Sequence, residues 1–335
     1  MSVQIQRLLE DLVAQMESGS DAYRGTMEEL ATTARHEGPE SLTAAVQGLA
    51  PLLPGLAGDY AEAAVLAGAC VEWGGSPMAL VEVLPARAAE AMMLNAAVPE
   101  LWSRATGGSP LPEPSSKHAD RLIQGLTRRS RWWRKRDGAR QEAMTRIAMS
   151  WFDMEYWLSA LTTVMVDARF RAAVAEDAKG ELRTYASAVA ERSQEADWVR
   201  VLASVLDDEP LIVINVPDRM SYALTMSGVA DMGQLHDLLI ERIFPNAGEA
   251  VIPAFRLLDA NGTPLSPDQL PADIEAVRGV RVLVLHFAKS NPSPSVARRF
   301  ERMTPTVHLD RVLSPIETEE WLETLTPAAL SDQEP

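Results

Sequence analysis

Apolar residues recur at steps of three and four from Val3 to about Trp102, the spacing that gathers them on one face of a helix. Ile5, Leu8, Leu9, Leu12, Val13 and Met16 define the first amphipathic segment. Similar segments follow at 22–36, 40–53, 59–73 and 77–94. They are separated by Gly38-Pro39, Pro54-Gly55 and Gly74-Gly75, residues that end one helix and start another. Short helices joined by tight breaks predict a helical bundle or a HEAT-like array over 1–105, without a clean repeat period.

The segment 106–117, TGGSPLPEPSSK, is rich in proline, glycine and serine and reads as an exposed linker. A second helical region is expected over 118–207. Within it Met144, Ile147, Trp151, Met154, Leu158, Leu161 and Met165 alternate steps of three and four, and Phe152 and Trp157 widen the apolar face. That pattern predicts a long, central, largely buried helix, with a last helix over 181–206. The Met and Trp stripe reads as core rather than as a cofactor pocket.

The period changes at Pro210. LIVINV is β-rich, Pro217-Asp218-Arg219 is a turn, and Tyr222, Leu224 and Met226 alternate on one face, so 211–226 reads as a hairpin. Asp231, with Gln234 three residues on, caps a helix whose buried face is Leu235, Leu238, Leu239 and Ile243. A strand over 254–258, a turn at Asn261-Gly262 and a strongly apolar strand, VRVLVLHF at 280–287, complete the order.

Across 209–287 that order resembles a ubiquitin-like β-grasp domain, carried by the hairpin, the helix QLHDLLIERIF, the stretch FRLLDANGTPLSPDQLPADI and the closing VRVLVLHF. A strongly apolar last strand belongs between neighbours, with one sheet face covered by the lone helix; another α+β topology also fits. The expected fold class is therefore α+β. An all-α bundle or HEAT-like array precedes a small β-grasp-like domain over 208–288, and 289–335 forms a helical extension and tail. The resemblance implies a protein-recognition module that docks partners on its sheet surface. Two glycines do not follow the last strand; the chain continues through KSNPSP to helices expected near 296–302 and 317–325, so covalent tagging is not expected. The stretch TMSGVADMGQLHDLL resembles C-terminal modules of bacterial proteins with no assigned activity, and the remainder resembles helical bacterial proteins of the same kind.

Composition sets limits on this picture. The 335 residues are 47% apolar and 23% charged, ordinary values for globular proteins, and two domains are the default. Glu10 and Asp11 interrupt the first apolar pattern, which lacks the basic start of a secretory signal, and no window predicts a membrane span. A single cysteine, Cys70, lies among Ala, Val and Leu and reads as a buried inert thiol, fitting a reducing, cytoplasmic compartment.

Charge is unevenly spread. The net charge is −16, yet residues 118–150 hold nine Lys and Arg against three Asp and Glu. Global acidity opposes nonspecific approach to nucleic acid or anionic lipid, so only this basic island reverses it locally. Its centre, Arg128, Arg129, Arg131, Trp132, Arg134, Lys135 and Arg136, interleaves guanidinium groups with indoles, a pairing that clamps acidic peptides or binds phosphates and stacks bases. These are the candidate partner-binding residues. A solvated helix end before Gly138 explains the same residues: Trp133 shares a helical face with Leu122 and Leu126, and cations near a C-terminus suit the dipole. Trp132 lies off that face.

Other chemistry is poorly supported. His36, His118, His236, His286 and His308 are too dispersed for metal spacing, and neither a catalytic triad nor a nucleotide-binding glycine motif occurs. Ser227, Asp231, His236, Asp237 and Glu241 cluster in sequence without a nucleophile-elbow frame, and capping accounts for Asp231. The expectation is a non-enzymatic adaptor or regulatory protein without cofactor, binding an acidic protein surface or peptide. An enzyme with its site between the helical and α/β regions, and nucleic-acid binding through 128–136, are the alternatives.

Overall fold

In the computed structural model, which describes residues 2–114, 118–127, 138–243, 254–288 and 300–331, Ser2 opens the first helix by accepting the Ile5 amide at 3.3 Å. This helix, α1 (Val3–Glu17), buries Ile5, Leu8, Leu9 and Leu12 against α2 (Tyr23–Glu37) and α3 (Pro39–Leu49). Gly38, at φ 99°, makes the break between α2 and α3, and Pro39 occupies the first turn of α3, where its missing N–H costs nothing. A short turn at Gly58–Ala61 leads into α4 (Glu62–Glu72), which packs on the long α7 described below.

The next helix differs from its expectation. Instead of covering 77–94, α5 begins at Val83 and runs to Thr106, straight through Pro99, ending at the left-handed Gly107. Pro99 cannot donate to the carbonyl of Asn95, four residues back. That carbonyl is filled from outside: Arg192 Nη2 donates to Asn95 O at 3.1 Å and to Asn95 Oδ1 at 2.8 Å. Asn95 Nδ2 in turn donates to Ser150 O at 3.0 Å. A break expected from proline is thus repaired by a side chain far along the chain.

Beyond α5 come α6 (Ala119–Thr127), α7 (Gly138–Met165), α8 (Ala168–Ala173), α9 (Glu176–Val189) and α10 (Gln194–Leu202). As the stripe predicts, α7 is central: Trp157, Leu158, Leu161, Val164 and Met165 are fully buried, and α7 packs on α4, α5, α6 and α10. The helix expected over 181–206 is split in two, because Ser193 turns extended and caps α10 by accepting the Ala196 amide at 3.2 Å.

Most of the described residues of 106–117 are exposed, as expected, but three of its carbonyls are bound. Trp102 Nε1 donates to the carbonyls of Ser109 and Pro110, and Trp151 Nε1 donates to that of Pro112 at 2.9 Å. Helices on both sides share one apolar cluster of Val98, Trp102, Leu122, Leu126 and Ala148. The compact units are accordingly Met1–Ala203 and Ser204–Pro335, with no division at the proline-rich segment. Prolines lack donors but keep carbonyls, and two indoles use them.

The second unit is a sheet wrapped by helices. β1 (Glu209–Asn215) and β2 (Met220–Ser227) form the antiparallel hairpin, with Leu211 opposite Leu224 and Val213 opposite Tyr222. α11 (Met232–Ile243) follows, its start fixed by Asp231 Oδ1 accepting the Gln234 amide at 2.8 Å. β3 (Ala254–Leu258), the two-residue β4 (Ala276–Val277), β5 (Val280–Ala288) and β6 (Thr306–Val312) complete the sheet in the order β3-β5-β1-β2-β6, with β1 parallel to β5 and β4 paired to β5. The two short helices α12 (Pro315–Leu322) and α13 (Pro327–Leu330) end the described chain. The protein is therefore α+β, a helical part and a sheet domain.

Strand alternation sorts the sheet residues onto two faces. Leu211, Val213, Leu224, Met226, Leu283 and Leu285 pack under Leu235 and Leu239 of α11. Ile212, Ile214, Val282 and Val284 face the other way and are covered by Leu313, Leu322, Leu325 and Ala329. The region expected as a helical extension thus contributes an extra edge strand, β6, and a lid over the second face. Residues 300–302 form a turn, and the rest of the helix expected near 296–302 lies outside the described residues.

One consequence is measurable. Arg192→Ala strips the Asn95 carbonyl of its donor inside a buried seam. Denaturant melts should show the full chain destabilised by about 1–3 kcal/mol, whereas Arg192→Ala combined with Pro99→Ala, which restores a helical donor to that carbonyl, should recover part of the loss.

Candidate functional site

The seven candidate partner-binding residues, Arg128, Arg129, Arg131, Trp132, Arg134, Lys135 and Arg136, lie outside the described residues, as does Trp133. Their flanks are described: Leu122 and Leu126 of α6 and Ala148 of α7 are buried together in one cluster, so the helices on both sides of the segment are anchored in the helical unit.

The expected docking face of the sheet is closed. Ile214, Val282 and Val284 have no exposed surface, because the segment carrying α12 and α13 lies on them. Its attachments are specific. His286 Nε2 donates to Ala329 O at 2.7 Å, and the Thr326 amide donates to Ala260 O at 3.2 Å. Gly262, at φ 86°, lies so close that a Cβ there would stand 2.7 Å from Ala328 C. Around the rim Arg219 pairs with Glu319, Arg311 with Glu317 at 2.9 Å, and Arg278 lies over the Trp321 ring at 5.7 Å.

Ser227, Asp231 and His236 each have a structural partner, and Asp237, half exposed, lies 3.5 Å from His236 Nδ1. Ser227 Oγ accepts the Asp208 amide at 2.8 Å and donates to Asp208 Oδ1 at 3.0 Å. His236, buried, directs Nε2 at Phe255 O, 3.2 Å away, and Asp231 is spent on the cap of α11. Cys70 is fully buried, and burial pushes its thiol up to about 12, far from a reactive thiolate. Among the described residues no group of three His, Cys, Asp or Glu side chains is placed to hold a metal ion.

A buried polar cluster in the helical unit went unread in the sequence. Asp153 of α7, 3% exposed, accepts the Gly58 amide at 2.7 Å. One turn on, Trp157 supports the guanidinium of Arg87 from α5 at 4.6 Å. Arg87 donates to Leu56 O at 2.8 Å and pairs with Glu90, which also holds Arg146 at 2.7 Å. The Nε1 of Trp157 and the Nε of Arg87 have no hydrogen-bond partner among the described residues. Burial pushes the Asp153 carboxyl up to about 6, against the Gly58 amide and the cations Arg87 and Arg146, and burial also draws the Arg87 pKa down. The signal in the sequence was a lone carboxylate on the buried side of the α7 stripe, four residues before a tryptophan. The cluster can hold a proton near neutrality, but it is enclosed, so its role is to seat the turn at Gly58 on α4's neighbour α7.

Comparison of the chain with family models, with curated proteins and with solved structures finds no match. No relative therefore lends it an activity, and function rests on the residues themselves.

The raised Asp153 value has a defined sign. The folded pKa lies above the ordinary 3.8, so this group's contribution to stability is full below 3.8 and is lost as pH rises through about 6. The stability difference between wild type and Asp153→Asn should shift by about 3 kcal/mol from acid to neutral pH, against the wild type at the higher pH, in denaturant melts at matched ionic strength.

Proposed function

We propose that the protein is a non-enzymatic cytoplasmic adaptor or regulatory protein of bacterial type that binds an acidic protein surface or peptide. The observation that carries this reading is the charge reversal at 118–150 within a chain of net charge −16. Six of the nine residues 128–136 are Lys or Arg, joined by two indoles, and they connect two helices whose apolar faces are fixed in the helical unit. Guanidinium groups clamp carboxylates bidentately, and neighbouring indoles add stacking and apolar area. The chain's own acidity repels nucleic acid elsewhere on its surface, which favours a discrete acidic peptide over a polyanion that must lie along the molecule.

The second unit supports the same reading. The β2-β1-β5-β3 order with a parallel central pair, and a lone helix on one face, supports a ubiquitin-like β-grasp module, which embedded in a longer chain implies recognition rather than catalysis. Of the polar residues there, Ser227, Asp231 and His236 are tied into a loop contact, a cap and a strand contact.

The test uses the full chain with Arg131, Arg134 and Arg136 replaced by Glu. A labelled glutamate-rich peptide should bind the wild type and bind the triple variant about ten-fold more weakly or worse. Unchanged peptide binding overturns the assignment. Loss confined to a single-stranded oligonucleotide, with a steep dependence on salt in the wild type, replaces it with nucleic-acid binding.

A further inference from the structure

The two faces of the sheet are covered in unlike ways. α11 covers the first as one twelve-residue helix. The second is covered by eight-residue α12 and four-residue α13, each too short to be stable alone, separated by a turn at 323–326. Under them lies a continuous apolar surface of Ile212, Ile214, Val282, Val284 and Leu258. Ser221, fully buried and on the Ala223 side of β2, has a hydroxyl with no hydrogen-bond partner among the described residues, so the present cover leaves a polar group unmatched there.

We propose that residues 313–330 form a displaceable strap, holding this face closed until an acidic amphipathic helix of a partner protein takes its place. The strap itself states the chemistry of the occupant. It sets Leu322, Leu325 and Ala329 on the sheet, steps of three and four that a continuous helix also places on one face. Its flank is acidic, and Glu317 and Glu319 meet Arg311 and Arg219 on the rim, while Trp321 lies under Arg278. A partner helix with the same apolar spacing and the same carboxylates would find every one of these groups. A continuous helix would also avoid the interruption at Pro327, and it could bring a donor or acceptor to Ser221. The ion pairs that hold the strap are solvent-exposed and individually weak, so the closed state is held chiefly by the apolar contacts and by the bonds to Ala329 and Thr326.

This deepens the protein-binding reading and rests on it, but its test does not involve 128–136, so either can fail alone. The probe is a labelled peptide of residues 313–331, titrated against the full chain. Wild type should bind it weakly, because the strap competes in cis. Full chain carrying Leu322→Ser and Leu325→Ser should bind it about ten-fold more tightly or better, with far-UV and near-UV circular dichroism retained. A milder variant, Glu319→Arg alone, loosens only the rim and should give an intermediate gain. Equal affinity in all three proteins overturns the proposal. So does loss of the sheet signal in the serine variant, which would make the strap part of the obligatory core. A doubled mass by light scattering in either variant also overturns it, by showing that the occupant is a second copy of this chain.

Discussion

The helical unit turns on one carbonyl, Asn95 O, that its own helix leaves without a donor. Pro99 sits inside α5, which packs on α7, and deprives Asn95 O of its helical donor. Left empty in a buried seam, that acceptor would cost about 1–3 kcal/mol. Arg192 answers it from the turn between α9 and α10, and the same guanidinium lies over the ring of Trp151 at 5.8 Å. Trp151 holds Pro112, and Asn95 reaches Ser150. Four parts of the chain thus meet around a gap that one proline made. Arg192 is exposed overall, and partial desolvation of its guanidinium draws its pKa down.

In the second unit the governing constraint is that β1 and β5 are apolar on both sides. Central parallel strands must be covered on both faces, and a single helix can cover only one. α11 takes the face of Val213 and Leu283; the chain then has to return, through β6, to cover Ile212 and Val284. The surface on which a β-grasp-like module would receive partners is therefore already occupied by the chain's own C-terminal segment.

Much of this was legible in the residues. The α7 stripe, the hairpin, the α11 cap and the apolar last strand follow from local periodicity and turn chemistry, which do not need distant partners. What was missed depends on such partners. Proline and serine content made 106–117 look free, because composition does not reveal two indoles, Trp102 and Trp151, aimed at its carbonyls. α5 was read short because its repair at Pro99 comes from Arg192. β6, TVHLDRV, carries His308, Asp310 and Arg311 on exposed positions and so lacks the apolar run that marks a central strand. Asp153 was hidden by its neighbours: a carboxylate among Met and Trp reads as the polar side of a helix until Gly58 is seen beneath it.

The pairing of β1 with β5 also sets an order of events during synthesis. Leu211 must find Arg281, and Asn215 must find Leu285, so the middle of the sheet cannot close until a strand about seventy residues later in the chain has also left the ribosome. The helical unit, ending at Ala203, can assemble earlier from its own residues. For that interval LIVINV has only its hairpin partner β2, and its other edge lies open to a wrong strand, a hazard that the later arrival of β5 removes.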